Sequence, residues 1–158
     1  MNRPDLPPPP YRGGCLCGAA RWRYDARPLT LTACHCGDCK KLSGSDYALM
    51  MTARSEALVH ETGETQAFVK RADSGREVKI VRCAQCGTRL WHEPLAAPAL
   101  AFICAGTMDD PSWFIPTSHI WAEQASANVC FADDALRIEG QPADRQVTLD
   151  AFARIFPE

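Results

Sequence analysis

Seven of the nine cysteines in this chain fall in three short clusters: Cys15-Leu16-Cys17, Cys34-His35-Cys36-Gly37-Asp38-Cys39 and Cys83-Ala84-Gln85-Cys86. Cysteines this closely spaced suit metal binding, and seven divide naturally into four and three. Four thiolates close a tetrahedral zinc site, whereas three leave one coordination position open, the usual difference between a structural ion and a catalytic one. Disulfides suit the pattern poorly. The total is odd, a Cys-x-Cys bridge closes a small strained ring, and in a reducing cytosol clustered cysteines are more often ligands or redox groups.

The four-ligand set is read as Cys15, Cys17, Cys83 and Cys86. Gly18 follows the first pair and Gly87 the second, the mark of a zinc knuckle, because glycine accepts φ > 0 and lets amides turn toward sulfur. An ion shared by these pairs would join the start of the first strand to a turn some sixty residues later. Its binding energy, roughly 10–16 kcal/mol in small zinc peptides, would become folding energy. Buried reduced cysteines are the plain alternative; two pairs at ligand spacing, each followed by glycine, argue against it. Zinc is preferred to iron, since nothing else in the sequence points to electron transfer.

Cys34, Cys36 and Cys39 can surround one face of a second ion, with Gly37 easing the turn. The fourth position is open to Cys104, Cys130, His92, His119 or a water; Cys104 completing a closed tetrahedron is the structural alternative. Zinc with three thiolates carries a net charge of -1, a poor setting for acidifying water. A soft, sulfur-rich site is better matched to a fourth sulfur. The expected visitor is therefore a small thiol held as its thiolate, able to add to a small aldehyde or to release one from a hemithioacetal.

The elements that must position these clusters read as short strands. Ala20, Trp22 and Tyr24 alternate with Arg21 and Arg23. Leu29 to Ala33, Tyr47 to Thr52 and Ala67 to Lys70 look extended. Val78 to Arg82 delivers Cys83, Leu100 to Cys104 suits a fully buried strand, and Ile120-Trp121 adds a short one. One or two short helices are expected. One is Asp38 through Leu42, ending near Gly44; the other is Thr148 to Phe156, with Leu149, Phe152, Ala153 and Phe156 on one face. Residues 1–12, with Pro4 and the run Pro7 to Pro10, read as a flexible proline-rich arm, followed by one zinc-binding domain over 13–158. The fold class is mainly β.

The 158 residues should bury about 68–70% of their unfolded surface. A net charge of -2 gives no general attraction to phosphate backbones or anionic membranes, and no basic stripe suggests nucleic-acid binding. The first ten residues lack the apolar stretch of a signal peptide. Leu95 to Gly106 is too short to span a bilayer. A cytoplasmic protein is expected.

Taken in order, these motifs resemble the glutathione-dependent formaldehyde-activating enzymes, grouped with centromere protein V. The resemblance rests on Gly13 to Gly18, Cys34 to Lys41 with Ser43-Gly44, Cys83 to Thr88 with Leu90, Gly106 to Pro111, and His119-Ile120-Trp121. It implies a single-domain β-tent fold with zinc knuckles and two zinc ions. The structural ligands fall on Cys15, Cys17, Cys83 and Cys86, and the catalytic ones on Cys34, Cys36 and Cys39, in agreement with the division above. It also implies carbon–sulfur lyase chemistry that forms or breaks S-hydroxymethylglutathione from formaldehyde and glutathione. Met108 stands where leucine is usual, and Asn128 where many members carry tryptophan.

Around the clusters, His35 reads as a proton shuttle or as a supporting group turned away from the metal. Lys40 and Lys41 could attract the carboxylates of glutathione, or form a solvated surface. Asp109-Asp110-Pro111 suits substrate orientation or a simple turn. Trp91, Trp113 and Trp121 suit a pocket wall or the core, and Cys130 a plain small hydrophobe. Beside the lyase, two other functions fit: a non-enzymatic zinc-binding interaction module, and a thiol redox sensor.

Overall fold

The computed structural model describes residues 3–72 and 75–157. In chain order the elements are β1 (Tyr11–Gly14), β2 (Arg21–Tyr24), β3 (Thr30–Cys34), α1 (Gly37–Ser43), β4 (Ala48–Arg54), β5 (Leu58–Thr62) and β6 (Thr65–Arg71). They continue with β7 (Glu77–Cys83), β8 (Arg89–Pro94), β9 (Leu100–Cys104), β10 (Ser118–Ile120), β11 (Leu136–Arg137) and α2 (Gln146–Ile155). The protein is mainly β with two short helices, as its sequence indicates. Among the described residues, no helix is long and apolar enough to cross a membrane.

Contacts divide the chain into two compact units. One contains Leu29–Met51 and Trp113–Glu158 with the N-terminal residues to Pro7; the other contains Pro8–Pro28 and Thr52–Ser112. Each is built from separated stretches of chain. No single linker marks the division, which is why no boundary is visible in the sequence.

In the first unit β10 lies between β3 and β11 and is parallel to both, with Ile120 opposite Cys34. Leu31, Ala33, His35 and Ser118 are all fully buried there. Helix α2 packs against β3 and β10 through a face of Thr148, Ala151, Phe152 and Phe156. Ala153, expected on that face, is exposed. At 100° per residue it lies a full step around from Phe152. Strand β10 also stops at Ile120 rather than including Trp121, because Trp121 takes a left-handed φ of 56°.

In the second unit β1, β2 and β5 form an antiparallel sheet, and β6 to β9 form an antiparallel meander. Trp22 and Tyr24 are fully buried while Arg21 and Arg23, which alternate with them, are only half-buried, matching the alternation in sequence. Trp22 sets a local requirement. A Cβ on Gly13 would meet Thr107 O at 2.2 Å and the Trp22 ring at 2.4 Å, so only glycine lets β1 approach the indole. Trp22 Nε1 donates to Thr107 Oγ1 at 3.1 Å, and that hydroxyl donates to Cys104 O at 2.7 Å.

The proline-rich arm differs from expectation at both ends. Tyr11 and Arg12 belong to β1, and Tyr11 is buried. Arg3 donates to Asp134 at 2.6 and 2.9 Å, and to the carbonyls of Ile115 and Pro116. A proline run lacks backbone donors but does not prevent flanking side chains from anchoring.

Candidate metal centres

The first cluster is assembled wholly within the second unit. Cys15 and Cys17 leave the end of β1, and β7 carries Cys83 into the turn that holds Cys86. Gly18 and Gly87 have φ of 80° and 74°, the freedom expected of knuckle glycines, and their amides close turns onto Cys15 O and Cys83 O at 3.0 Å each. Ala20 N donates to Cys15 Sγ at 3.2 Å. The four sulfurs lie within 4.8 Å of one another, with Cys15 to Cys17 at 3.4 Å and Cys17 to Cys83 at 3.9 Å. A tetrahedron with Zn–S bonds of about 2.3 Å has sulfurs about 3.8 Å apart. The set therefore fits a four-coordinate ion.

Charge at this cluster points the same way. Thr88 bonds through its hydroxyl (3.2 Å) and backbone, with help from Cys17, and pulls the Cys86 thiol down to about 5. Ala19's amide acts to lower Cys17, yet crowding by Cys15, Cys86 and Cys83 pushes it up to about 12. Sulfurs this close cannot all ionise alone, and a divalent cation removes the conflict.

The second cluster lies wholly within the first unit. Strand β3 ends in buried Cys34, and Cys36 caps α1, accepting from Cys39 N at 3.4 Å. Cys34 and Cys36 sulfurs are 3.5 Å apart, and all three lie within 4.8 Å. The hydrogen bond to Cys36 pushes Cys34 up to about 12, and bonding with Cys34 and Cys36 raises Cys39 strongly. This cluster also fits a soft divalent ion. Among the described residues no other histidine, cysteine or carboxylate joins it. Of the expected fourth ligands, Cys104 is buried with its thiol raised to about 11 by that burial, Cys130 is exposed, and His92 and His119 lie outside the group.

The residues around the second cluster form two supports. His35 is fully buried, and its Nε2 lies 2.9 Å from His119 Nδ1, with Phe131 against both rings and Tyr47 near His35. Burial lowers both imidazoles, His119 to about 4, where His35, Arg137 and Arg3 add to the effect. Two neutral rings then share a single N–H···N bond. That is a support for the cysteine loop, and the buried position does not suit a shuttle exchanging protons with solvent.

The other support was not visible in the sequence. Trp121's left-handed turn starts a 3-10 turn over Ala122–Gln124. Gln124 Oε1 accepts from Gly37 N at 3.1 Å, and Lys40 Nζ donates to Gln124 O and, at 3.4 Å, to Ser126 Oγ. Asn128 donates to Asp46 at 3.0 Å, which with Ser126 and Lys40 lowers that carboxyl. Lys40 is thus committed to the fold, whereas Lys41 is exposed. Gly37 lies in the first turn of α1 with no positive φ, so its conformation does not require glycine. Its amide is what the support uses.

Asp109 forms a two-point ion pair with Arg21, and Asp110 accepts from Ser112 in a turn. Trp91 and Trp113 are buried.

Residues 10–124 match the family model described as "Glutathione-dependent formaldehyde-activating enzyme". The chain belongs to that family. All seven clustered cysteines lie inside the match, whereas Ser126, Asn128 and α2 lie beyond it. No curated protein matches the chain. A solved structure described as a Rhodobacter sphaeroides protein is similar at 20% identity, over 62% of this chain and 87% of that one, with a TM-score of 0.49.

Proposed function

We propose that this protein is a zinc-dependent carbon–sulfur lyase acting on a small thiol–aldehyde adduct, with S-hydroxymethylglutathione as the first substrate to test. The observation that carries this reading is the second cluster: three thiols at ligand spacing, two of them partly exposed, with no fourth protein ligand among the described residues. Cys15, Cys17, Cys83 and Cys86 hold a structural zinc, and Cys34, Cys36 and Cys39 a catalytic one. Zinc held by three sulfurs supplies a site where a visiting thiol is kept as its thiolate.

The overall change is balanced without an oxidant. In the adduct RS–CH2–OH the C–S bond breaks, its electron pair stays on sulfur, the hydroxyl proton leaves, and formaldehyde and the thiol result. The reverse adds the thiolate to the carbonyl carbon and a proton to its oxygen. The chain's own residues position the reaction. Gln124 and Ser126 hold the helix that bears Cys39, His119 holds the loop through His35, and Lys41 remains exposed for a substrate carboxylate. Such chemistry needs reduced cysteines, which suits the cytoplasm.

The test is metal analysis with turnover. The parent should hold two zinc ions and the Cys34→Ser protein one, with adduct cleavage falling at least about 100-fold, since even indirect supports of a metal cost 10–100-fold when removed. Glutathione binding and turnover at the parental level in Cys34→Ser would sink the reading.

A further inference from the structure

The second unit carries a cavity of about 370 Å³ whose lining includes none of that unit's clustered cysteines, within the range of small-ligand sites. Apolar Leu58, Pro94 and Pro98 form part of its walls, together with Trp91. Three further polar groups line it: Ser55, His60 and Glu93.

The donors of Ser55, Trp91 and His60 are already committed. Ser55 Oγ donates to Pro98 O at 2.8 Å. Trp91 Nε1 donates to Glu93 Oε1 at 2.9 Å. His60 Nε2 lies 2.9 Å from Thr62 O; a carbonyl can only accept, so Nε2 carries a proton, and in the neutral ring Nδ1 offers a lone pair. What remains for a ligand is a set of acceptors, one of them a carboxylate. Burial acts to raise Glu93, but the Lys79 and Trp91 bonds outweigh it and hold the carboxyl below its usual range. The His60 and Trp91 rings sit 5.7 Å apart at 60°, and aromatic rings also favour cations.

We propose that this cavity binds a small organic ammonium: a protonated primary amine on a compact apolar body, its N–H groups donating to Glu93, His60 Nδ1 and Ser55. A neutral ligand without donors gains no hydrogen bond from these acceptors, and an anion meets the carboxylate. Lys79 Nζ sits 2.9 Å from Glu93 Oε2 and competes for the same charge. The site is independent of the lyase reading.

The probes are benzylammonium, benzyl alcohol and benzoate, titrated against the full chain while the Trp91 indole N–H resonance is followed. Benzylammonium should saturate at a concentration about tenfold lower than benzyl alcohol, as expected for a charge-assisted bond, and benzoate should not shift the resonance. Glu93→Gln keeps an acceptor for Trp91 and should erase the preference for the cation. Lys79→Met removes the competitor and should tighten benzylammonium binding several-fold, an effect that a damaged fold would not produce. Equal binding of all three probes, no shift of Trp91 with benzylammonium, or unchanged or weaker binding in Lys79→Met would overturn the proposal.

Discussion

His119 carries the clearest chemical consequence of a single buried side chain. Its imidazole is held at about 4 by burial, with His35, Arg137 and Arg3 adding to it, against about 6.5 in an unfolded chain. Between those values the unfolded state binds the extra proton. The stability His119 contributes is therefore complete above about pH 6.5 and is lost as pH falls toward 4. His119→Gln keeps a hydrogen-bonding partner for His35 and removes the titration. We expect its thermal midpoint to change less than the parent's between pH 7 and about 4.5. Any metal held by the thiolates would leave both proteins at low pH, so the difference between the two curves isolates the histidine; parallel curves would refute it. The cysteines themselves were legible at this scale, since spacing and the following glycines marked all seven. His35 was legible only as two options, and the choice required the position of His119, eighty-four residues away.

At the scale of elements, the second cluster rests on α1, a helix of 7 residues and so too short to be stable by itself. Its order comes from what grips it. Gln124 takes the Gly37 amide, Lys40 reaches Gln124 O and Ser126, and Asn128 bonds Asp46. Groups that support metal ligands alter metal affinity without touching the ion. In zinc-loaded protein, Lys40→Met should therefore speed release of zinc from the second cluster to a chelator by about tenfold and leave the first cluster unchanged. Asn128→Ala, one bond further out, should do so less. Two indistinguishable release phases in Lys40→Met and parent would show that the helix does not depend on the lysine. The sequence placed α1 and its Gly44 stop well, because a left-handed cap ends a helix locally. It missed β1, β5, β8 and β11, whose short polar stretches (Leu-Val-His-Glu-Thr in β5, for example) become strands only through pairing with neighbours.

At the scale of the whole molecule, each compact unit contains one complete cysteine cluster: Cys15, Cys17, Cys83 and Cys86 in one, Cys34, Cys36 and Cys39 in the other. The four-cysteine set links chain positions 66 residues apart through Cys17 and Cys83, so its ion would close a long loop. Cys86→Ser should then cost a large part of that unit's stability, on the order of several kcal/mol. Hydrogen exchange over residues 8–28 and 52–112 should accelerate sharply. Cys34→Ser should leave those segments protected. Equal protection in Cys86→Ser and parent would remove the structural role from the first cluster.

From its sequence alone the chain determined which residues could ligate metal, how they divide four and three, the mainly β class and the family. These follow from residue type and short spacing, which local chemistry reads directly. Only the tertiary structure decided that Lys40 is tied into the fold, that His35 pairs with His119, that Cys104 and Cys130 stay out of the second cluster, and that a cavity lined with acceptors exists beside Glu93. Each of these depends on contacts between distant stretches of chain, set by packing and hydrogen bonding that no local pattern encodes.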